Sequence, residues 1–283
     1  MSSQQLSEVG ELGLLAELET RGLIDGVEDD AAQLGDGLVV TQDGLVEGVH
    51  FRLDWTSWRD LGWKAAAVNL CDLAASGAEP LALVVTLGLP PSTPLGSVVE
   101  LYEGLAETGV PVRGGDTTGS EQVFLSVTAL GRSERVPGRG GAQPGDLLIV
   151  TGPLGASGAG FRALAAGRLD DPAALAHLRP PLRLEQGRRL GRVATALLDI
   201  SDGLAVDAGH LARRSGVRVR IDLDDVPLGG SLADLGFGED YELLAATADP
   251  LGFPVIGRCE AGEGVELRLA GKPYELPGWE HFR

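Results

Sequence analysis

The chain has 283 residues, 43% of them hydrophobic, and 41 Asp and Glu against 23 Lys and Arg give a formal net charge of −18. This length suits one large domain or two of ordinary size, and the acidic balance argues against a nucleic-acid partner, whose phosphates need Lys and Arg. No apolar run approaches the ~20 residues that span a bilayer, and MSSQQLSEVGEL lacks a signal-peptide core. Cys71 and Cys259 form no CxxC pair, which argues against a disulfide framework or thiolate zinc site. We expect a cytoplasmic protein without a membrane partner.

The hydrophobic patterns of the first half alternate between helices and strands. They predict a helix at residues 7–21, strands at 37–42 and 45–50, a helix at 58–76, a strand at 81–88, a helix at 97–108 and a strand at 122–131. Ser57 can cap the second helix, Asp60 lies in its first turn and Gly77 marks its end. These alternating elements predict an α/β or α+β domain.

The segment RSERVPGRGGAQPGD, residues 132–146, is dense in Gly, Pro and charge and separates two apolar strands. It predicts a domain boundary, so we divide the chain into an N-terminal domain, residues 1–135, and a C-terminal domain, residues 136–283. Beyond the boundary the patterns predict a strand at 147–151, a helix after the Gly-rich GPLGASGAG, a helix at 181–193, the turn DISDGL, a helix at 204–215, strands at 217–223 and 242–248, and short strands to the end.

Carboxylates recur where apolar elements end. They lie in VEDDAAQL, VVTQDGLVEGVHF, AVNLCDLAASGA, PVRGGDTTGS, ALLDISDGLAVDAGH and GFGEDYELL. Each cluster alone has a structural explanation, such as a solvated turn, a helix cap or hydrogen bonds within a buried helix. Their recurrence, with oxygen ligands and few His or Cys, favours Mg²⁺. Because Mg²⁺ commonly binds carboxylates together with substrate phosphates, the pattern predicts a nucleotide or phosphate-ester site.

The chain contains no Walker A motif, no GxGxxG after a strand and no protein-kinase HRD or DFG set. The ordered series EDDAA, QDGLVEGVHF, KAAAVNLCDLAASGAEP, GGDTT, DISDGL, GEDYEL and GWEHF instead resembles the thiamine-monophosphate kinase family. That family belongs to the superfamily of aminoimidazole ribonucleotide synthetase and selenophosphate synthetase. The matches run from about residue 28 to the C-terminus.

The resemblance implies a two-domain α/β fold of the aminoimidazole ribonucleotide synthetase type. Its N-terminal half would pair across a homodimer, and ATP would lie between the two halves. The implied reaction is direct in-line transfer of the ATP γ-phosphoryl group to thiamine monophosphate, assisted by several Mg²⁺ ions and without a catalytic side chain.

The resemblance also implies roles for residues of this chain. The positions implied as metal ligands are Asp30, Thr41, Gln42, Asp43, Asp72, Asp116, Asp199 and Asp202. The positions implied as ATP contacts are Tyr102, Gly115, Asp116, Arg139 and Ser201. The positions implied as substrate contacts are His50, Glu239 and Trp279, of which Trp279 offers an aromatic face to a cationic ring.

Three positions depart from the family pattern. Glu28 replaces a glycine, Gln42 stands where a metal-binding Thr or Ser is usual, and Gly119 replaces a basic residue. The alternatives are another ATP-using enzyme of the superfamily and a degenerate metal- or nucleotide-binding protein that has lost activity. Neither end of the chain has the Cys that selenophosphate synthetase or the hydrogenase-maturation dehydratases typically use.

Overall fold

A computed structural model describes residues 5–25 and 29–276 and has the expected mixed α/β architecture. In the first half the elements are α1 (Leu6–Thr20), β1 (Ala32–Gly35), β2 (Leu38–Val46), α2 (Trp58–Ala75), β3 (Glu79–Leu89), α3 (Leu95–Ala106), β4 (Val112–Gly119) and β5 (Phe124–Arg132). Their strands form a sheet in the order β1-β2-β5-β3-β4, in which β3 and β4 are parallel and the other neighbours antiparallel. The prediction of two strands at 37–42 and 45–50 was wrong, because β2 is continuous and a turn follows it.

The second half has its own sheet. Its elements are β6 (Leu147–Val150), α4 (Ala156–Ala165), α5 (Ala174–Leu178), α6 (Leu184–Gly191), β7 (Ala196–Asp199), α7 (Leu204–Ser215), β8 (Arg218–Asp222), β9 (Leu243–Thr247), β10 (Val255–Glu260), β11 (Gly264–Leu269) and β12 (Lys272–Tyr274). The strand order is β12-β11-β8-β10-β6-β9-β7. Short 3-10 helices at Leu223–Asp225 and Leu232–Gly236 connect β8 to the loop before β9. Within the described ranges, no helix is both long and apolar enough to cross a bilayer.

The first sheet is covered by helices on one face. In β5, Leu125, Val127 and Ala129 are buried, while the residues between them are half-buried. This period of two is typical of a strand with one face on the core. Helix α2 contacts β5, and residues of both belong to one buried cluster. The opposite face of the sheet is more open, because it carries the half-buried residues of β5.

Helix α2 joins the two halves. Ser57 caps it by accepting a hydrogen bond from Asp60 N at 3.0 Å, and Gly77, with φ of 62°, lies just beyond its end. The helix contacts β5 and α3 on one side and α6, β7 and β9 on the other, which explains why it is buried nearly all round. It passes α3 at Gly62 and Gly104, where a Cβ atom would collide with the backbone of the facing helix. Lys64 and Asn69 on α2 therefore lie inside the protein.

Candidate active site

A cavity of about 720 Å³ lies between the two halves. Its wall includes β2, α2, the turn after β7 and the loop before β9. The sequence-predicted residues that line it are Asp30, Thr41, Gln42, Asp43, His50, Asp72, Arg139, Asp199, Ser201, Asp202 and Glu239. The fold thus brings most of the positions implied by the motifs to one place.

The polar end of β2 meets the polar side of α2. The Thr41 hydroxyl donates to Asp72 Oδ2 at 2.6 Å, and the backbone N–H of Asp43 donates to Asn69 Oδ1 at 3.0 Å. Asn69 Nδ2 donates in turn to Ala65 O at 3.0 Å. Residues two apart on a strand share a face, as do residues three apart on a helix. This match explains why a helix of mostly small apolar residues carries Asn69 and Asp72.

Carboxylates from separate elements converge beside this contact. One oxygen from each of Asp30, Asp72 and Asp199 lies within 4.8 Å of the others, and we call these residues the carboxylate cluster. Burial, reinforced by the neighbouring carboxylates, raises the pKa of Asp72 and of Asp199 well above the ordinary value. Burial, with a contribution from Asp30, raises the pKa of Asp43 to about 6. Asp199 Oδ2 is buried and has no hydrogen-bond partner among the described residues, so the cluster suits a cation with oxygen ligands.

Arg139 lies at the edge of the carboxylate cluster. Its Nε and Nη2 donate to Asp30 Oδ1 at 2.9 and 2.6 Å, and its backbone N–H donates to Asp29 Oδ1 at 2.8 Å. Asp29 and Asp30 belong to the first half and Arg139 to the predicted boundary segment. The contact therefore places a guanidinium in the cavity and ties its two walls together.

The DISDGL turn adds a second acidic group. Asp202 N donates to Asp207 Oδ2 at 3.0 Å, and Asp207 is buried in the first turn of α7. Oxygens of Asp202 and Asp207 and a ring nitrogen of His210 lie within 4.8 Å of one another. Ser201 O accepts a hydrogen bond from Glu239 N at 2.7 Å, which joins this turn to the GEDYEL loop.

Glu239 contacts a buried lysine. Lys64 is 1% exposed, and its Nζ lies 3.1 Å from Glu239 Oε2 and 3.3 Å from His50 O. His177 Nδ1 lies 3.2 Å from the same carboxylate oxygen. Burial alone would raise the pKa of Glu239. The opposing effects, of which the Lys64 charge is the largest, outweigh burial and hold the pKa of Glu239 below its ordinary value. Glu239 also has φ of 55°, a strained conformation that occurs frequently at functional positions.

Sequence reasoning did not single out Lys64 or His177. Lys64 carried a usable signal, because it is the one charged residue from position 61 to 71, a stretch that is otherwise apolar except for Asn69. His177 lies in the short helix α5, which was not predicted, and no motif surrounds it. The predicted His50 accepts a hydrogen bond from Val46 N at its Nδ1, 3.1 Å away, so the neutral ring carries its proton on Nε2.

The side chain of Gln42 lies on the other face of β2 from Thr41 and Asp43. Its Oε1 accepts a hydrogen bond from Thr128 Oγ1 at 2.9 Å. Successive strand residues point to opposite faces. A metal contact from Gln42 in this conformation would have to come from its backbone carbonyl.

Three predicted positions do not line this cavity. Asp116 and Gly115 are exposed on β4, at the edge of the sheet, and Tyr102 is 36% exposed on α3. Asp116 was expected where an element ends, but it lies within β4, which continues through it to Gly119.

The strand register gives the separation of Asp116 from β2. Gly44 pairs with Ser126, Ser126 with Thr86, and Thr86 with Asp116. Three strand spacings amount to about 14 Å. Asp43 precedes Gly44 in the chain. Since a Mg²⁺ ion contacts its ligands at about 2 Å, one ion cannot contact both Asp43 and Asp116 of a single chain in this arrangement.

Trp279 and Glu28 lie outside the described residues. The expected contact between Trp279 and substrate therefore stays a prediction. Gly119, another departure from the family pattern, is exposed at the end of β4 with Asp116, away from the cavity.

The Gly-rich segment GPLGASGAG leads into the N-terminus of α4, where backbone amides can bind an anion. Those of Gly155 and Ser157 donate to Asp240 at 2.6 and 3.1 Å. Asp240 is 5% exposed. A carboxylate of the GEDYEL loop thus occupies this anion site, so the segment orients that loop and does not offer these amides to a phosphate.

The two halves match two family descriptions. Residues 28–133 match "AIR synthase related protein, N-terminal domain" and residues 143–268 match "AIR synthase related protein, C-terminal domain". The chain, with an acidic cavity between its halves, is therefore an AIR synthase related protein.

Curated relatives narrow this class. The thiamine-monophosphate kinase of Aquifex aeolicus is 36% identical, with 98% of this chain and 100% of the relative covered. That of Mycobacterium tuberculosis is also 36% identical, with 99% and 94% covered. A solved structure described as "AaThiL complexed with AMPPCP and TMP" superposes with a TM-score of 0.90 at 34% identity, covering 99% of this chain and 100% of that one. The chain belongs to the thiamine-monophosphate kinase family.

Proposed function

We propose that this protein transfers the γ-phosphoryl group of ATP to thiamine monophosphate, giving thiamine diphosphate and ADP. The relatives are named for this activity, and this chain matches them over nearly their whole length. The related structure is described with AMPPCP, an ATP analogue, and TMP. The cavity between the halves is large enough for a phosphate-rich ligand pair, since small-molecule sites commonly occupy 300–1,000 Å³.

The carboxylate cluster carries this proposal. Asp30, Asp72 and Asp199 bring negative charge together in a buried place, and Asp199 Oδ2 has no hydrogen-bond partner among the described residues. Such a group needs protons or cations, and oxygen ligands of this kind suit Mg²⁺. We infer that these residues, with Asp43 and Asp202, hold Mg²⁺, which would neutralise charge on the phosphates of both substrates.

The remaining cavity residues divide between the two substrates in this proposal. Arg139 and Ser201, beside the acidic groups, are placed to contact ATP, and His50 and Glu239 to contact the acceptor. The acceptor oxygen is already largely ionised near neutral pH, so transfer needs positioning and charge neutralisation more than a general base. We therefore assign no side chain the role of proton acceptor.

The exposed positions on β4 and α3 support a homodimer. Asp116, Gly115 and Tyr102 match the family motifs but do not line this chain's own cavity. Strands of the same sheet also expose apolar side chains, including Leu81 on β3 at 44% and Leu34 on β1 at 62%. We propose that this sheet pairs with a second copy and that Asp116 completes the site of that copy.

Mixing two inactive variants tests the shared site. Asp43→Asn and Asp116→Asn would each be inactive alone, but a mixed dimer would contain one intact site. Random reassortment of a symmetric dimer should restore roughly a quarter of wild-type activity. No recovery, with mixed dimers demonstrated by differently tagged subunits, would contradict a shared site.

The activity itself is tested with ATP, Mg²⁺ and thiamine monophosphate, with thiamine diphosphate measured by chromatography. Wild-type protein should form product, and Asp43→Asn should lower turnover at least about 100-fold with an unchanged circular dichroism spectrum. Absence of product from a protein that still binds ATP would favour the degenerate alternative. Near-wild-type turnover by Asp43→Asn would refute the metal assignment. A cytoplasmic location stays a prediction of the sequence.

A further inference from the structure

Helix α1 forms part of the wall of the cavity between the halves. Glu11 and Leu15 line this cavity together with residues of both halves. The helix is interrupted at Gly10, which has φ of 67°, so the part of α1 that carries both lining residues is a separate helical piece. The proposed function assigns no role to α1.

Helix α1 belongs to the wall of the cavity but not to the core. Among the described residues, α1 contributes none to the three buried clusters. Leu6 is 44% exposed and Leu15 is only half-buried. Thr20 Oγ1 donates within the helix, to Ala16 O at 2.7 Å. Because burial of apolar surface is the main force that holds a helix in place, α1 is held less firmly than α2, which is buried nearly all round.

The two halves are fixed to each other by close contacts. Helix α6 crosses α2 so closely that a Cβ atom at Gly187 would collide with Ala74 O. Trp63 Nε1 on α2 donates to Pro180 O of the second half at 2.9 Å. Separating the halves to open the cavity would break these contacts, whereas α1 can move without disturbing either core.

The proposed reaction requires that water be kept from the γ-phosphoryl group. In the transfer, the bond from the γ-phosphorus to the oxygen of the leaving ADP breaks, and a bond forms to an oxygen of the acceptor phosphate. In the competing reaction a water oxygen forms that bond, loses its proton to solvent and leaves as inorganic phosphate. Closure of a mobile segment over bound substrates is a common means of excluding this water.

We propose that α1 closes over the bound substrates and that Leu15 is the side chain by which it excludes water from the γ-phosphoryl group. Leu15 is thus a specificity-determining residue, because it directs transfer to the acceptor phosphate and away from water. This inference rests on the proposed function, since it places ATP and thiamine monophosphate in the cavity.

Trypsin measures the closure on the full chain. Arg21, at the end of α1, is the first basic residue of the sequence and Arg52 is the next. AMPPCP, Mg²⁺ and thiamine monophosphate together should slow cleavage after Arg21 at least about fivefold. Arg168 is the internal control, because it lies in an exposed turn after α4 and does not line the cavity. Cleavage after Arg168 should change by less than about twofold.

The fate of the phosphoryl group tests Leu15. Leu15→Ala keeps the helix, since alanine favours it, but removes most of the apolar side chain. It should raise the ratio of inorganic phosphate to thiamine diphosphate at least about tenfold and abolish the protection at Arg21. Leu6→Ala is the matched control, because Leu6 lies before the break at Gly10 and does not line the cavity. It should leave the ratio and the protection as in wild type.

The outcomes separate this inference from the proposed function. Wild-type protein that forms no thiamine diphosphate refutes the function, while the cleavage assay, which needs only binding, still decides whether α1 closes. Product formation without protection at Arg21, or with equal protection at Arg21 and Arg168, keeps the function and refutes the closure. A ratio of inorganic phosphate to thiamine diphosphate that is the same for Leu15→Ala and Leu6→Ala refutes the role of Leu15.

Discussion

Replacing Asp199 by Asn should stabilise the metal-free protein and remove its response to Mg²⁺. Asp199 is 2% exposed, lies within 4.8 Å of Asp30 and Asp72 through one oxygen of each, and carries a buried Oδ2 without a partner among the described residues. Without a cation, the charges of these groups oppose folding. An amide of the same shape removes one charge and can donate to the neighbouring carboxylates.

The size of the effect follows from the geometry. The oxygens of these carboxylates lie within 4.8 Å of one another, and two unit charges at that limit repel by about 3.5 kcal/mol in an effective dielectric of 20. Protonation relieves part of this repulsion, as the raised pKa of Asp199 indicates, with burial as its main cause. We therefore expect Asp199→Asn to raise the free energy of unfolding by about 2 kcal/mol in EDTA, or several degrees in Tm.

Thermal unfolding in EDTA and in Mg²⁺ measures both parts of the effect. Wild-type protein should gain Tm on adding Mg²⁺, as any ligand of the folded state produces, whereas Asp199→Asn should gain little and lose turnover. Asp170→Asn, at an exposed position outside the cavity, is the matched control and should behave as wild type. A variant that is less stable than wild type in EDTA, or that keeps the full Mg²⁺ response, would refute the reasoning.

Two further predictions concern stability. Gly62→Ala should lower the free energy of unfolding by about 1–3 kcal/mol, because its Cβ would collide with Leu101 O where α2 crosses α3. Gly96→Ala is the control, because the space around Gly96 is open, and it should not lower the urea midpoint. Equal effects of the two substitutions would contradict the close crossing. Burial, aided by Lys64, lowers the pKa of His177 to about 4 from an ordinary 6.5. Since the unfolded chain then binds more protons, stability should fall as pH drops from 6.5 to 4, by up to about 3 kcal/mol. Urea unfolding measured at several pH values in this range should show a weaker dependence of the free energy of unfolding on pH for His177→Phe. An unchanged pH dependence would contradict the assignment.

Local patterns predicted most helices and strands because their causes are local. The α2 helix was predicted at 58–76 and found at Trp58–Ala75, since Ser57 caps it and Gly77 follows its end. The errors lie where tertiary pairing overrides the local pattern. The pattern of VVTQDGLVEG was divided into two strands, but β5 pairs with β2 in continuous register from Leu38 to Val46. Similarly, β4 passes through Asp116 because β3 pairs with it as far as Gly119.

Only the tertiary structure shows which residues meet around Glu239 in the cavity. The motifs implied a substrate contact for Glu239, but Lys64 and His177, which contact its carboxylate, come from elements distant in sequence. Their meeting depends on how α2 and α5 pack, and no local pattern encodes that contact. The same holds for the edge-on contact of Trp55 and Phe161, whose rings belong to different halves.

The sequence by itself determined the family, the α/β class and the acidic residues that are candidates for the site, because spaced motifs and hydrophobic periods are properties of short stretches of chain. Only the tertiary structure decided which of these residues share a cavity. It joined Asp30, Asp43, Asp72 and Asp199, turned the side chain of Gln42 to the other face, and left Asp116 about 14 Å away across the sheet. The physical reason is that strand order and helix packing set distances between residues far apart in sequence, whereas a motif records only which residues are present.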